Sequence, residues 1–565
     1  MSGRVIGIDF GTTNALCAWL DAGRTVIIPN ERGARFTPSV VSYAPGGEVL
    51  VGESAKNRAI AAPADTVRAV KRLLGTRTSL QVGGRALRPE DVAAELFAKL
   101  RSDAERFLGF PVESAVVTVP ASFSDAQRRS LREAAALAGL DALRLVNEPT
   151  AAALARAWLD RQKPGADTLV LVYDFGGGTF DVTVLRSRGS ACEVLASAGD
   201  DRLGGLDIDA ALYAEVAAAF SRDYGLDAEG DLFLSQQLWD LVERAKIELS
   251  SRESTEIVMP FMGPGGALSH PSFTVTRRRL EELARPFVER TVLLTAEALR
   301  TAKVEPAELG ALVLSGGSSR MPLVGELLAH LVRRAPESRV NFEEIVASGA
   351  AVEAAIVSGD AEGFAVRDVA SFSYGVEIEG GACAVLVQRN ESLPARKRRV
   401  FTTIADGQDT VEIHVIQGEG KKAGDNLSLG RFLLAGVRKA RRGEPRILVE
   451  FAIDESDLLR VRAKDLDTGA EQRVVVSGSG SDDAAKLALL ATRVAELSAR
   501  TVLESGLADE LEEAVAAARK AVSEGDAASR AEARAVLEAL AGELFAARDD
   551  GVSRRTGLGV AGGAR

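Results

Sequence analysis

Cysteine, histidine and aromatic residues are all scarce in this chain. Its 565 residues include three cysteines (Cys17, Cys192, Cys383), three histidines (His270, His330, His414) and only 5% aromatics. Widely separated cysteines, odd in number, offer no disulfide framework and fit a reducing compartment. Neither they nor the histidines show zinc-ligand spacing. No run of about 18 apolar residues is present to span a membrane, and the apolar start meets Asp9 too soon for a signal peptide. Positive charge is not in excess either. A net charge of −11 argues against general nucleic-acid or anionic-membrane binding. A cytoplasmic location is expected. A Walker-type Gly-Lys-Ser/Thr loop is missing, as are the His-Arg-Asp and Val-Ala-Ile-Lys signatures of protein kinases.

What the chain does have is ordinary globular texture, 46% hydrophobic and 26% charged, at a length that requires two to four domains. Two distant stretches say nearly the same thing: Ile6-Gly7-Ile8-Asp9-Phe10-Gly11-Thr12-Thr13 and Val172-Tyr173-Asp174-Phe175-Gly176-Gly177-Gly178-Thr179. Each is an apolar strand carrying an Asp to its end, then a glycine turn that exposes backbone N–H groups, then Thr. Asp9 and Asp174 lie 165 residues apart, which suggests a duplicated phosphate-gripping unit with two lobes facing one nucleotide. In this reading Asp9 and Asp174 hold magnesium, partly through water, while Gly11, Thr12, Thr13 and Gly176 to Thr179 cradle phosphates.

Other segments fit the same site. Val313-Leu314-Ser315-Gly316-Gly317-Ser318-Ser319-Arg320 reads as a strand and glycine turn where backbone approaches an adenine ring. Glu243, Lys246 and Ser250 share a helix face suited to ribose and base, or alternatively form a solvated charged face. Lys71, taken alone, is a surface lysine. The run 115–120 is a buried strand; Ser124 caps a helix running through Leu137, and Gly139 stops it. Up to about residue 358, strands alternate with helices in an α/β pattern. From about 372 the texture becomes antiparallel β, with strands at 411–415, 447–451 and 459–463. Residues 477–483 form a flexible joint, 484–548 have helical periodicity, and the glycine-rich tail from Gly551 is expected to be disordered.

Together these segments resemble the DnaK-type 70-kilodalton heat-shock chaperones. The matching runs are Gly-Ile-Asp-Phe-Gly-Thr-Thr-Asn (7–14), Thr-Val-Pro-Ala-Ser-Phe-Ser-Asp-Ala-Gln-Arg (118–128), Asn-Glu-Pro-Thr-Ala-Ala-Ala (147–153) and Tyr-Asp-Phe-Gly-Gly-Gly-Thr-Phe-Asp (173–181). Further runs are Leu-Gly-Gly (203–205), Ala-Lys-Ile-Glu-Leu-Ser-Ser (245–251) and Ser-Gly-Gly-Ser-Ser-Arg-Met-Pro (315–322), with Ile-Gln-Gly-Glu (416–419), Asp-Asn-Leu-Ser-Leu-Gly (425–430) and Ala-Lys-Asp (463–465) in the β region. The resemblance implies a multidomain α/β plus β plus α protein. An actin-like, ribonuclease-H-like duplicated ATPase domain (1–359) precedes a linker (360–371), a β-sandwich that grips extended peptide (372–478), a short helical lid (482–548) and the tail (549–565). It implies that Lys71 positions the attacking water and that Glu148, Asp174, Thr179 and Asp181 surround it as magnesium and water ligands, with Asp9 opposite. Asn14 belongs to the first phosphate loop, and Gly204 and Gly205 to the phosphate side of the second lobe. Pro120 and Arg128 resemble a pair that relays nucleotide state, and Asp368 ends the interdomain linker. The peptide groove maps onto Val376, Phe401, Val411 and Ile413, although composition alone makes these sandwich core, Ile413 above all.

Departures from the family pattern are visible too. The leucine-rich linker becomes Phe364-Ala365-Val366-Arg367-Asp368, Ala370-Ser371 replaces Thr-Pro, and Phe342 replaces a proline, which leaves the strength of interdomain coupling open. Glu379 stands where an apolar residue normally arches over the peptide, and is expected to favour basic peptides. The short lid and the trimmed segment after Lys71 are closer to the short, specialised HscC-like branch. The expected activity is ATP hydrolysis, with Mg2+ and ATP/ADP bound, driving capture and release of unfolded polypeptides. Without an evident arginine finger, unstimulated turnover is expected on the order of 10⁻³ s⁻¹. The expected partners are a J-domain protein and a nucleotide-exchange factor. The rivals are a non-cycling binding module or exchange co-chaperone, a small-molecule kinase of the actin-like fold, and a filament former.

Overall fold

The computed structural model describes residues 5–475 apart from 162–166, 229, 260, 263–267, 338, 340 and 362, and beyond them 494, 505–524, 529, 533, 536, 537, 540 and 558–560. The chain falls into two compact units. The first comprises Met1–Tyr374, Val387–Lys397 and Phe451–Leu459; the second comprises Gly375–Leu386, Arg398–Glu450 and Arg460–Arg565.

The first unit contains two sheets built on one plan. In the first sheet, the strand Val5–Phe10 pairs antiparallel with Asn14–Asp21, which pairs antiparallel with Arg24–Ile28. On its other side Val5–Phe10 runs parallel to Ser114–Val119, and that strand runs parallel to Asp141–Asn147. In the second sheet, Asp167–Phe175 pairs antiparallel with Phe180–Arg188, which pairs antiparallel with Ala191–Asp200, while Leu309–Ser315 runs parallel on the other side. Asp9 and Asp174 therefore occupy equivalent penultimate positions on the central strands of the two sheets. The repeated motif read in the sequence is a repeated piece of architecture.

Central strands covered on both faces need continuous apolar runs, and Leu171, Val172, Tyr173 and Phe175 are all fully buried. Tyr173 and Phe180 meet edge to face with centroids 4.8 Å apart, and Phe10 stacks on Phe97 at 4.5 Å. Each such ring contributes roughly 1.5–3 kcal/mol through burial. The helices Glu148–Asp160 and Ile345–Val357 pack closely because Gly349 has no side chain; a Cβ there would lie 1.8 Å from the Ala151 carbonyl oxygen. The helix Asp125–Leu137 begins as its sequence requires. The Ser124 Oγ accepts from Gln127 N at 3.4 Å, and the Gln127 side chain accepts from Ser124 N at 2.8 Å.

The expected linker is partly strand. Ala365–Arg367 runs parallel to residues 191–193 at the edge of the second sheet, and Phe364 packs on Trp158 with centroids 4.9 Å apart. From 374 to 475 the strands form two sheets, one ordered Ala382–Val387, Tyr374–Ile378, Thr410–Gln417, Leu427–Ala435. The other is ordered Glu471–Val475, Leu459–Asp465, Ile447–Ile453, Ala395–Thr403, and carries Leu558–Val560 on its outer edge. In Leu459–Asp465 burial alternates residue by residue, as the apolar/polar alternation requires. The expected joint at 477–483 lies outside the described residues. So do the expected lid and tail, save the helix Ser505–Glu524, a few single positions and the strand Leu558–Val560.

Candidate active site

The two glycine turns face each other at closest packing. A Cβ on Gly177 would fall 2.1 Å from Thr13 Oγ1, and one on Gly178 would fall 2.5 Å from Thr12 Oγ1. A side chain at either position would force the facing threonine to shift, and the same bareness leaves backbone N–H groups free to approach phosphate oxygens. On the first loop, Ser39 Oγ donates to the Gly11 carbonyl at 2.7 Å, and an added Cβ on Gly11 would strike the Asn14 carbonyl oxygen at 2.1 Å. On the second, Gly176 N donates to Thr179 O at 3.1 Å and closes the turn. Gly204 and Gly205 come to the same place: Gly205 N donates to Gly176 O at 3.0 Å and Leu206 N to Gly177 O at 2.8 Å. They open the helix Gly205–Tyr224, whose first turn adds a positive dipole end to the cradle.

Beside the loops sits a buried charge cluster. Lys71 Nζ donates to Glu148 Oε1 at 2.5 Å, with the lysine side chain 2% exposed. The bland reading of Lys71 as a surface lysine is therefore overturned: the short 3₁₀ turn Val70–Leu73 carries it inward. Three more carboxylates join the pair. Burial first, and then Glu148, push Asp9 up to about 7, against the pull of Lys71 and of Thr118 Oγ1, which donates to it at 3.2 Å. Asp181 is pushed up to about 8, again by burial and then Glu148, although Ser122 N donates to it at 2.9 Å. Asp174 is raised well above the carboxylate range by burial, Glu148, Asp181 and Asp9.

Four carboxylates around one lysine lack positive charge, and Asp181 Oδ2 is buried with no hydrogen-bond partner among the described residues. That chemistry fits a hard divalent cation. No group of three or more acidic, histidine or cysteine residues among those described converges closely enough to chelate a metal alone. Such a site suits Mg2+, which binds through one or two carboxylates and keeps water and phosphate oxygens as its other ligands.

The turn after Leu309–Ser315 is tied to the second phosphate loop, since Ser318 Oγ donates to Gly176 O at 2.9 Å. Gly316 adopts φ +80°, and a Cβ there would meet the Phe175 carbonyl oxygen at 2.4 Å; a Cβ on Gly317 would meet nothing within 4 Å. Lys246, on the helix Leu232–Leu249, donates to Asp209 at 2.7 Å and to Gly205 O at 3.1 Å, while Glu243 pairs with Lys56 at 3.5 Å. Ser250 is the C-cap of that helix, one residue past its end. Arg320 is half exposed, near Glu343 at 3.5 Å and over the Phe342 ring at 5.6 Å.

Arg72 belongs to no motif in the sequence, yet it lies in the site. Its guanidinium donates to the Gly178 carbonyl at 2.8 Å and to Asp207 at 2.6 Å, tying the segment that carries Lys71 to the second phosphate loop. Arg68 pairs with Asp240 at 2.6 Å in the same sense. The available signal was a basic cluster, Arg68, Lys71 and Arg72, in an acidic chain.

Two of the three expected coupling residues are joined through Asn147. Arg128, 1% exposed, donates to Asn147 Oδ1 at 2.7 Å, and Asn147 Nδ2 donates to Asp368 Oδ2 at 3.0 Å. Arg128 also donates to Ser371 Oγ at 3.0 Å and lies 3.7 Å from Asp457. Ser371 N donates to Asp457 Oδ2 at 3.1 Å, a bond that a proline at this position cannot make. The Ala370-Ser371 departure therefore has a structural use. Pro120 is buried and its carbonyl accepts from Phe123 N at 3.1 Å. In the second unit Phe401, Val411, Ile413 and Val376 are all fully buried, and half-exposed Glu379 pairs with Arg442 at 2.8 Å.

Facing glycine turns, a buried lysine–carboxylate cluster and a third glycine turn make a two-lobed clamp suited to phosphate. The comparisons with known proteins give that clamp its family. The family model described as "Hsp70 protein" matches residues 5–83 and 77–554. The chain is similar to "Chaperone protein DnaK" of Thermotoga neapolitana, 43% identical over 482 residues, spanning 84% of this chain and 80% of that relative. The chain belongs to the Hsp70 family: it is an ATP-dependent chaperone of the Hsp70 type and an ATPase. The family binds ATP or ADP with Mg2+ and joins an actin-like ATPase domain to a β-sandwich, with which the mixed α/β architecture agrees. No helix among the described residues is long and apolar enough to cross a membrane.

Proposed function

We propose that the chain binds and releases extended hydrophobic segments of unfolded polypeptides, driven by hydrolysis of ATP held between the two glycine turns. In this reading Gly11 to Asn14 and Gly176 to Thr179 hold the β- and γ-phosphates, and Gly204 and Gly205 bind from the second lobe. Lys71, fixed by Glu148, orients the water that attacks the γ-phosphorus as the β–γ bridging P–O bond breaks, giving ADP and phosphate. Thr179 and Asp181 flank that water. Asp9 and Asp174 would hold Mg2+, which supplies charge neutralisation on the phosphate oxygens. Glu243, Lys246, Ser250, Gly316, Gly317, Ser318 and Arg320 form the nucleoside side. The observation that carries this reading is the contact of the two duplicated turns, Gly177 on Thr13 and Gly178 on Thr12, beside the Lys71–Glu148 pair.

Arg128, Asn147 and Asp368 supply a continuous buried chain of hydrogen bonds between residues 118–128 and the linker, which supports a relay of nucleotide state to the peptide groove. Val376, Phe401 and Val411 line that groove under Glu379. One pocket burying one leucine is worth roughly 1.5–3 kcal/mol, short of the about 8 kcal/mol of micromolar affinity. Main-chain pairing along the peptide supplies the rest. A J-domain protein and a nucleotide-exchange factor are the partners that such a slow cycle calls for, and the cytoplasm is its compartment. Single-turnover ATP hydrolysis alongside dissociation of a labelled peptide tests the proposal. Peptide release should accelerate with ATP in the parent, and both Lys71→Ala and Thr179→Ala should slow hydrolysis. ATP-independent peptide release would overturn it.

A further inference from the structure

Residues 551–565 alternate glycine with a few apolar residues and carry Arg554 and Arg555 just before Thr556-Gly557-Leu558-Gly559-Val560. Leu558–Val560 is nevertheless a strand. It pairs antiparallel with the outer edge of Ala395–Thr403, in the register Phe401↔Val560, Thr402↔Gly559, Thr403↔Leu558. The same strand also comes close to Thr410–Gln417. Phe401 and Val411, assigned to the peptide groove under the proposed function, lie on those two neighbours. A strand edge presents unpaired N–H and C=O groups, and an extended peptide recognises it by adding one more strand. The chain's own tail makes that addition here.

We propose that Leu558–Val560 is an internal ligand of the peptide groove that an incoming client must displace. This rests on the reading of the Phe401 edge as the client site. The tail's composition suits that role, with two aliphatic residues separated by one glycine, more glycines on either side, and basic residues upstream. Its tether suits it as well. Thirty-three residues separate Glu524, the end of the helix Ser505–Glu524, from Leu558, and extended chain spans about 3.3 Å per residue. Three paired residues bind weakly on their own, but a covalent tether gives an effective concentration in the millimolar range. For an intrinsic dissociation constant of about 0.1 mM and an effective concentration of about 1 mM, client affinity falls about tenfold. The tail thereby sets a threshold: segments that bind more weakly than it does are rejected, and stronger ones displace it.

The test compares, in ADP, the full chain, a chain truncated after Asp550, and full-length Leu558→Asp/Val560→Asp. The probes are a carboxymethylated, permanently unfolded protein and a labelled peptide of residues 554–563, both read by fluorescence anisotropy. The truncated chain and the double variant should bind the unfolded protein about tenfold more tightly than the full chain, and the truncated chain should bind the tail peptide. Equal affinity of the unfolded protein for all three chains, with no tail-peptide binding, overturns the internal ligand and leaves the groove standing. Failure of the unfolded protein to bind any of them overturns the groove, and the internal ligand with it. A gain on truncation that grows with protein concentration places the tail in a neighbouring copy and overturns the intramolecular assignment.

Discussion

Lys71 Nζ lies 2.5 Å from Glu148 Oε1 in a site that shields both side chains from solvent. Among the described residues, the lysine is the cation that meets a cluster also holding Asp9, Asp174 and Asp181, all pushed above the ordinary carboxylate range. Breaking a buried pair by removing one partner costs about 3–5 kcal/mol. Lys71→Ala should therefore destabilise the nucleotide-free chain, while the Mg2+ that accompanies ATP would return a local cation to the carboxylates, so that Mg-ATP is still bound. Hydrolysis in a single turnover should fall by roughly 10²–10⁴-fold. Calorimetry for binding and phosphate release for turnover separate the two effects.

Arg72 holds the second phosphate loop through the Gly178 carbonyl and the neighbouring helix through Asp207. Among the described residues its hydrogen bonds go to Gly178 and Asp207 and not to Lys71 or the carboxylates around it. Arg72→Ala should speed release of a fluorescent ADP analogue about tenfold, since hydrogen bonds to charged groups are each worth about 1.5–3 kcal/mol and this one is partly exposed. The hydrolysis rate of already bound ATP should change by less than about threefold. Stopped-flow displacement and single-turnover chemistry decide it.

Gly178 has the side chain of Thr12 against its Cα, with Cγ2 only 2.6 Å from where a Cβ would stand. Overpacking of this kind costs about 1–3 kcal/mol. Gly178→Ala should weaken ATP binding by roughly 10–100-fold with little change in helix content, as read by calorimetry and circular dichroism. Gly325→Ala, facing open space on the helix Pro322–Val332 and outside the proposed nucleotide site, is the matched control for a glycine lost without a clash.

Asp457 is pushed up to about 6 by burial, despite Arg128, Ser371 and Tyr374, all of which favour its charged form. A carboxyl with a folded pKa above its unfolded value adds stability that is complete below the unfolded value near 3.8 and is lost as pH rises through about 6. The stability of the parent relative to Asp457→Asn should therefore decline between about pH 4 and pH 6, by about 3 kcal/mol at most, and stay level above about pH 7. Denaturant titrations across that range measure it, and a flat difference would sink the assignment. Ser371→Pro removes the N–H that bonds Asp457 and the hydroxyl that accepts from Arg128. It should push Asp457 higher still and weaken the effect of ATP on peptide release.

Glu379 faces Arg442 at 2.8 Å with both side chains about half exposed. The carboxylate is not a lone charge, and its preference for basic over acidic peptides of matched hydrophobicity should stay below about fivefold, as solvent-exposed pairs are worth about 0–1 kcal/mol. Arg442→Ala should widen that preference, and anisotropy titrations with the two peptides would show it.

Much of the site was legible because strand–Asp–glycine–Thr is a local pattern in which each residue's use follows from its neighbours. Asp9, Asp174, Gly177 and Gly178 needed only the repeated motif. Lys71 did not: alone it reads as surface, and only the resemblance to a family marked it as part of the site. Arg72 stood out only as part of a basic cluster and Asn147 only as the first residue of a family run, while Asp457 carried no local signal, since a carboxylate in a turn is ordinarily solvated. Ser371 was visible only as a departure. Its use as a donor to Asp457 and an acceptor from Arg128 appeared once residues 86 positions apart were brought together.

Contiguous residues and their spacing were enough to specify the two hairpin-and-glycine units, the change from α/β to β texture, and the family. Three-dimensional packing was needed to establish that the two turns touch at Thr12 and Thr13, that Lys71 is buried against Glu148, and that the terminal Leu558–Val560 lies beside Phe401. Those relationships depend on which distant surfaces exclude water together, and chain order alone does not specify that packing.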